Sequence, residues 1–279
     1  MKFSSCKILI IILFSSINTV CQDQNDILIT GGSTIGSRFK TPPGYERIYS
    51  AEGGFSEWLR NLPLKEGRPP VRLYDGSLKY PRFVHAAVVD MDVGKKDLQQ
   101  CADCIIRLRA EYLWQKKDYD ALCFKFTSGD LSRWDRWRDG WRPIVNGSRV
   151  KWIKSMPHDG TYENFRRWLE NVFYYAGTIS LSRDLHIVNN INDIQIGDVF
   201  VEAGSPGHAV MIVDMAENKE TGDRIMLLLQ SYMPAQEMHI LINPNRKDIS
   251  PWYRIDFGYM LRTPEWDFKK EHLRRFIDD

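Results

Sequence analysis

The sequence predicts an α+β fold in which helices pack on an antiparallel sheet, and three observations support this. Segments with helical spacing of apolar residues occupy the chain up to Gly177, at residues 55–62, 97–114 and 161–176. Strand-like segments then follow one another closely, at residues 198–202, 209–214, 224–230 and 237–242. The sequence shows no repeat of fixed period. Helices first and adjacent strands later favour α+β over a parallel α/β arrangement.

The N-terminus has the pattern of a secretory signal. Lys2 and Lys7 precede a short apolar run at residues 8–14, and small and polar residues follow it. The run is shorter than the roughly 20 apolar residues that span a bilayer, and no later segment is long and apolar enough to do so. We therefore expect residues 1–21 to be a signal peptide. The mature protein is expected to be exported, periplasmic or extracellular, and without an integral membrane segment.

Cys21 leaves two modes of export open. Thr19, Val20 and Cys21 precede Gln22 in a way that suits an ordinary signal peptidase. Lipoprotein processing would instead make Cys21 the acylated first residue, and it needs a small residue directly before the cysteine. Val20 fits that requirement poorly. Soluble export is therefore favoured over a lipid anchor at Cys21.

Charge and cysteine content narrow the function classes. Removal of the signal takes two lysines and no acidic residue, so the formal charge falls from +2 to zero. A neutral protein is a poor candidate for binding nucleic acid or acidic membranes, because both require a basic surface. Three cysteines remain, Cys101, Cys104 and Cys123. This odd, small number is not a disulfide framework, so at least one thiol is expected to be free or unusually paired.

The elements before the candidate site can be placed in order. Residues 22–43 are polar and rich in Gly, Ser and Thr, which predicts a linker or loosely held arm. Residues 44–279 contain no such linker and are predicted to form a single α+β domain. After the helix at 55–62, the Asp75-Gly76 pair marks the turn of a hairpin, and a strand follows at 84–89.

The longest helix is predicted at residues 97–114, because apolar residues recur there every three or four positions. A strand is predicted at 122–127. Thr161 is a suitable first residue for the last long helix, and Gly177 a suitable stop.

Residues 134–142 form a predicted loop rich in tryptophan and arginine. As a binding surface, Trp134, Trp137 and Trp141 would stack on sugar rings or a peptide stem, and Arg138 would meet carboxylates with two parallel hydrogen bonds. The alternative is a packed cover over the core, in which arginines stack on the aromatic rings. The packed cover is the favoured interpretation.

The residues that predict chemistry are Cys101, His208 and Gln230. Gly207-His208 opens a strand, so the histidine is expected at the rim of the sheet with its ring facing a neighbouring element. Cys101 falls in the first turns of a predicted helix, where the positive end of the helix dipole favours the nucleophilic thiolate. Gln230 ends the strand after His208, in a position to orient the imidazole. The expected roles are nucleophile for Cys101, base for His208 and orienting group for Gln230.

This arrangement resembles the papain-like fold of the NlpC/P60 and CHAP cell-wall hydrolases. The resemblance implies a helix packed on an antiparallel sheet, with the histidine as general base for a cysteine near the N-terminus of an earlier helix. It implies hydrolysis of amide bonds in the cell envelope, with the peptide stems of peptidoglycan as a partner and with neither metal nor cofactor. The chain order of cysteine, histidine and polar residue is the same.

Competing interpretations of the same residues remain. Cys101 lies on the apolar face of its helix and would serve equally as an inert core residue, and His208 would serve as a structural group. The C-x-x-C spacing of Cys101 and Cys104 suggests redox chemistry, but a thioredoxin-like motif follows its strand directly, whereas residues 95–100 intervene here. Zinc is disfavoured because no second Cys or His pair has ligand spacing.

A wider resemblance covers nearly the whole mature chain. It is carried by QCAD at 100–103, RLRAEYL at 107–113, FYYAGT at 173–178, GHAV at 207–210 and QSYMPAQE at 230–237. These motifs are similar to the domain of unknown function 4846, a family of exported bacterial proteins. The resemblance implies an alanine where Cys104 stands, which supports Cys101 as the functional thiol.

Two functions from different classes follow from the sequence. The first is a papain-like cysteine hydrolase of the cell envelope. The second is a non-catalytic envelope protein that binds a glycan or partner through the Trp/Arg segment. A close approach of the Cys101 sulfur to the His208 ring in an open cleft would favour the enzyme, and separate burial would favour the binding protein.

Overall fold

A computed structural model describes residues 27–29 and 31–277 of the chain. Its helices are α1 (Ile35–Arg38), α2 (Phe55–Arg60), α3 (Cys101–Lys116), α4 (Trp134–Arg138), α5 (Tyr162–Tyr175) and α6 (Thr178–Asp184). Its strands are β1 (Tyr45–Arg47), β2 (His85–Val88), β3 (Cys123–Lys125), β4 (Leu131–Arg133), β5 (Trp141–Asn146), β6 (Arg149–Lys154), β7 (His186–Ile187), β8 (Val199–Glu202), β9 (His208–Asn218), β10 (Arg224–Gln230), β11 (His239–Leu241), β12 (Tyr253–Arg254), β13 (Met260–Arg262), β14 (Asp267–Lys269) and β15 (Leu273–Arg275).

The centre of the fold is an antiparallel sheet, to which nine of the described strands belong. Its main order is β2-β11-β10-β9-β8-β15-β7, with β1 added to β9 and β12 to β10. Successive strands β8, β9 and β10 pair with their sequence neighbours, as short connections between antiparallel strands allow. The predicted α+β class with a large antiparallel sheet is therefore confirmed.

The sheet has a separate apolar cluster on each face. Along β9, side chains alternate, so Ala209 and Met211 pack with the helices while Val210 and Ile212 pack on the opposite face. The helical face includes Ile105, Leu108 and other buried residues of α3. The opposite face includes Phe200 and Phe268. A residue's position in β9 thus decides which side of the sheet its side chain faces.

The long helix begins later than its apolar spacing predicts. Residue 97 was the expected start, but Gln100 has an extended backbone, with φ −87° and ψ −161°, and α3 begins at Cys101. Asp103 stabilises the start of α3, because its Oδ2 accepts the N–H of Gln100 at 3.0 Å. The consequence for function is that Cys101 is the first helical residue, closer to the N-terminal amides than expected.

The helix predicted from Thr161 is confirmed as α5. The hydroxyl of Thr161 accepts the N–H of Asn164 at 3.2 Å, so it caps the helix as its residue type predicts. The apolar residues expected on the inner face are buried, among them Phe165 and Trp168. The helix ends at Tyr175, two residues before Gly177.

Part of the predicted linker at residues 22–43 is packed. Ile35 and Phe39 lie four residues apart, so their side chains point to the same side. Both pack into the core and have no exposed surface. Arg38 donates to the carbonyl oxygens of Lys65 and Gly67, which ties α1 to the following loop. The predicted signal peptide and Cys21 lie outside the described residues. Within the part that is described, no helix has the length and apolar character needed to cross a membrane.

Candidate active site

The thiol of Cys101 lies against the first residues of β9. Its Sγ is 4.0 Å from the carbonyl oxygen of Gly207, the residue before His208. Gly207 also packs closely against α6 and β8, because a Cβ there would lie 2.5 Å from Thr178 Oγ1 and 2.7 Å from the Glu202 carbonyl oxygen. The start of α3 therefore lies against the N-terminal end of the central strand β9.

The thiol is protonated in the free protein. Cys101 is only 6% exposed, and burial raises its pKa to about 11, with a further increase from the charge of Asp103. The backbone N–H groups of Ala102 and Ala209 oppose this increase. The thiolate expected from the helix N-terminus is thus not the resting form, because desolvation outweighs the helix dipole.

His208 and Gln230 are in contact, as the sequence predicted. His208 Nε2 and Gln230 Oε1 are 2.9 Å apart. The ring is 1% exposed and lies among aromatic residues, with centroids 4.6 Å from Tyr232 and 5.5 Å from Trp266. Burial lowers the pKa of His208 to about 4, although the bond to Gln230 acts in the other direction. The imidazole is therefore neutral at physiological pH.

A chain of hydrogen bonds fixes the tautomer of His208. Gln230 Nε2 donates to Glu265 Oε2 at 2.6 Å, so its Oε1 must be the atom that faces His208. His239 fits the same assignment, since Nδ1 lies 2.9 Å from the Glu237 carbonyl oxygen and Nε2 lies 3.2 Å from Gln230 Nε2. His208 consequently carries its proton on Nε2 and keeps a lone pair on Nδ1. That lone pair is what a general base requires.

The thiol and the imidazole approach the same strand start from different sides. His208 contacts Phe268 at 5.9 Å between ring centroids, on the face of the sheet opposite α3. Between the residues described, no hydrogen bond joins the Cys101 thiol to the His208 ring. Tyr232 lies near both groups: its ring packs at a tilt of 52° against His208, and its pKa is raised by burial, by Glu265 and by Cys101. The structure brings Cys101 to the backbone of His208 but not into contact with its ring. The two groups are buried separately, at 6% and 1% exposure, so the close approach in an open cleft that would favour the enzyme is not found.

A cleft of about 340 Å³ opens onto Cys101. Its walls are the N-terminus of α3, the end of α5 with the start of α6, and the loop before β9. A second cavity of about 660 Å³ shares three lining residues with it, Asp97, Leu98 and Tyr174. The two cavities give an extended surface beside the thiol, wide enough for a peptide.

The tryptophan segment is not a loop, because residues 134–138 form α4 and Trp141 begins β5. Trp134 and Trp137, in α4, are 1% and 7% exposed, and Trp137 Nε1 donates to Asn164 Oδ1 at 3.0 Å. Arg142 lies 3.8 Å over the ring of Trp137. This is the packed cover that the sequence analysis favoured.

The predicted stacking surface is thereby corrected. Trp134 is enclosed by the core, and Trp141 is half-buried beneath the guanidinium of Arg136 at 5.2 Å. Arg138 is half-buried, with Nε 3.4 Å from Asp139 Oδ1. Trp137 alone of these four lines the 660 Å³ cavity, through the small part of its ring that stays exposed. The glycan-binding alternative loses the surface on which it rested.

Glu265, His239 and Lys79 were missed by the sequence analysis. Glu265 and Lys79 form a nearly buried ion pair at 2.6 Å, and Glu265 is also the residue that holds the Gln230 amide. His239 had a usable signal, because it falls in a predicted strand at 237–242 and would be expected to pair with a neighbouring strand. Glu265 had none, since it lies in a loop whose partners are distant in the sequence.

Together these features define an α+β protein in which a buried thiol at a helix N-terminus meets a strand that opens with histidine. The chain belongs to the family described as domain of unknown function (4846), whose model matches residues 35–275. No curated protein matches the chain. No solved structure matches it either.

Proposed function

We propose that this protein is a cysteine hydrolase of papain-like fold that cleaves amide bonds, with Cys101 as nucleophile, His208 as general base and Gln230 as the orienting group. The observation that carries the proposal is the hydrogen bond between His208 Nε2 and Gln230 Oε1, which leaves Nδ1 as a proton acceptor on the residue after Gly207, whose carbonyl oxygen is 4.0 Å from the thiol.

The chemistry follows from a neutral thiol and a neutral imidazole. The thiol and the ring lie on different sides of the strand start in the free protein, so substrate binding must bring Sγ of Cys101 and Nδ1 of His208 together. The thiol proton then passes to Nδ1 as Sγ bonds to the substrate carbonyl carbon. The imidazolium then protonates the leaving amine as the C–N bond breaks, and a thioester remains. Water attacks the thioester while His208 takes its proton, and that proton returns to the sulfur as the acid product leaves.

The negative oxygen of the tetrahedral intermediates needs hydrogen-bond donors. The N–H groups in the first turn of a helix have no partner within the helix, and Cys101 is the first residue of α3. These amides lie beside the sulfur, since the Ala102 N–H is one of the groups that act to lower the pKa of the Cys101 thiol. They supply the oxyanion site without a further side chain.

The predicted export of the chain supplies the substrate class. An exported amide hydrolase acts on polymers of the cell envelope, and the peptide stems of peptidoglycan are the amide-linked polymer of that compartment. The cleft and its neighbouring cavity, about 340 and 660 Å³, provide room for several residues of such a stem.

The test is hydrolysis of purified peptidoglycan and of the peptides released from it, followed by liquid chromatography and mass spectrometry. The mature wild type should release new amine and carboxyl ends. Cys101→Ser and His208→Ala should each lower kcat/KM by about 1,000-fold or more, because each removes a group that bonds to the reacting atoms. Cys123→Ser is the matched control and should retain full activity, since Cys123 lies on β3, away from the cleft. Wild-type rates in Cys101→Ser would refute the proposal.

A further inference from the structure

Asp103 is a buried carboxyl group that the reaction above does not use. It is 5% exposed, and its Oδ2 accepts the N–H of Gln100 at 3.0 Å. Its Oδ1 is also buried but has no hydrogen-bond partner among the described residues. Native proteins rarely leave such an atom unpaired, because the loss of its hydration is not recovered. Asp103 lines the same cleft as Cys101, which suggests that a ligand completes its bonding.

The charges around the cleft show which kind of ligand fits. The charged side chains in its lining are Asp97 and Asp103, and none of the described lining residues is basic. Asp97 is already engaged, since its Oδ1 accepts the Ala235 N–H at 2.6 Å and the Gln100 amide at 3.0 Å. Oδ1 of Asp103 therefore lacks a hydrogen-bond donor, and no cation lies beside it among the described lining residues. A carboxylate ligand would be repelled by both acids, whereas a protonated amine would be attracted.

We infer that Asp103 binds a protonated amino group of the substrate, so that the protein acts on peptides that carry a free amine next to the amide bond it cleaves. This inference rests on the proposed function of Cys101. The ammonium group donates one N–H to Oδ1 and supplies the positive charge that the buried carboxyl lacks. Peptides whose amine is acylated leave Oδ1 unpaired and bind less well.

The same contact links binding to the state of the thiol. Burial holds the pKa of Asp103 well above its usual value, as is typical of a carboxyl without a cation partner. The charge of Asp103 in turn is one of the causes that raise the pKa of Cys101. An ammonium group paired with Asp103 supplies the missing cation, so the carboxyl can ionise while its charge is offset beside the thiol.

The experiment compares matched substrates in matched variants of the mature chain. A peptide cleaved in the hydrolysis assay is used with its amine free and with the same amine acetylated. The wild type should prefer the free amine by about tenfold or more in kcat/KM, the value of one charge-assisted hydrogen bond. Asp103→Asn, which keeps an oxygen for the Gln100 N–H, should lose this preference, so that the free and acetylated peptides are cleaved with similar kcat/KM. Asp97→Asn is the control and should keep the preference.

A binding measurement separates this inference from the proposed function. Cys101→Ala is titrated with L-alanyl-L-alanine amide and with its N-acetyl form, and binding is followed by NMR of the backbone amides of residues 101–104. Selective binding of the free amine that disappears in Cys101→Ala/Asp103→Asn supports the amine site, even if no hydrolysis is found for the wild type. Equal binding of both forms, or selectivity that survives Asp103→Asn, overturns the amine site and leaves the hydrolase proposal standing.

Discussion

Cys101 and His208 are both uncharged in the free protein, which defines the type of nucleophilic catalysis available to them. A preformed thiolate–imidazolium pair would need the pKa of the thiol to lie below that of the imidazole. Here the order is reversed, with a pKa of about 11 for Cys101 and about 4 for His208, because both are desolvated. Deprotonation of the thiol must then accompany attack, and the lone pair on Nδ1 is the group that makes it possible.

This state predicts a steep pH dependence for alkylation of Cys101. Thiolate is the reactive form, so the rate of reaction with iodoacetamide should rise about tenfold per pH unit from pH 6.5 to 9.5. The rate should be measured by mass spectrometry of peptides from the folded protein. Cys104 should stay unlabelled throughout, since it has no exposed surface. Rapid, pH-independent labelling of Cys101 between pH 6 and 8 would contradict the uncharged pair and indicate an ion pair instead.

At the scale of elements, a buried ion pair between Lys79 and Glu265 links two loops to the end of β10. Through Gln230 it also reaches the candidate base, His208. Lys79 comes from the hairpin after Val71 and Glu265 from the connection between β13 and β14, and their side chains are 4% and 8% exposed. Glu265 also accepts from Gln230 at the end of β10. The orientation of the Gln230 amide, and through it the tautomer of His208, therefore depends on elements that lie outside the cleft.

This arrangement predicts strong coupling between Lys79 and Glu265. Glu265→Gln leaves the Lys79 ammonium buried without a counter-charge, so the free energy of unfolding should fall by about 3–5 kcal/mol. Lys79→Met combined with Glu265→Gln removes both charges and should be much less destabilising than the two single changes added together. Urea unfolding of the four proteins measures the coupling. Strictly additive losses would mean that the two side chains do not interact in the folded protein.

The same variants test the positioning role of Glu265. If Glu265 holds the Gln230 amide, Lys79→Met/Glu265→Gln should fold and yet show a lower kcat with little change in KM. A merely structural pair would leave kcat of the folded double variant unaltered.

Local patterns predicted most of the elements and part of the site. The strand at residues 224–230 is β10 to the residue, and the Thr161 cap predicted the start of α5, because these signals lie within the segments themselves. The Trp134 segment was predicted as a loop because the five residues of α4, two of them arginine, are too few to show a helical spacing of apolar residues. Gln230 was found as the partner of His208 from strand order, but Glu265 was not, since only the folded chain brings its loop to β10.

On the scale of the whole molecule, the N-terminal elements are joined to β9 by one buried carboxylate. Asp214 has no exposed surface and accepts from Arg47 of β1 and Arg60 of α2, each at 2.7 Å. Arg60 also donates to the Ile48 carbonyl oxygen, and Arg47 to that of Phe39. Both carboxylate oxygens of Asp214 thus accept a hydrogen bond from an arginine, which compensates the burial of its charge. Residues from Phe39 to Arg60 are in this way part of the same folded unit as the sheet.

Two buried neutral histidines should make the folded state sensitive to acid. Burial lowers the pKa of His208 to about 4 and that of His239 to about 3. Below about pH 6.5 each imidazole binds a proton in the unfolded chain but not in the folded one, so the free energy of unfolding falls as pH falls. The loss continues until the pH reaches the folded values and amounts to roughly 3 kcal/mol or more for each histidine.

Urea unfolding between pH 4.5 and 7.5 measures this loss. His239→Gln removes one buried titrating imidazole, so the slope of the unfolding free energy against pH should decrease by about 1.4 kcal/mol per pH unit below pH 6. His186→Gln is the control, because His186 is exposed on β7 and should leave the slope unchanged. An identical slope in the wild type and in His239→Gln would show that His239 already carries a proton in the folded protein. Its Nε2 would then not accept from Gln230, and the tautomer assigned to His208 would lose one of its two supports.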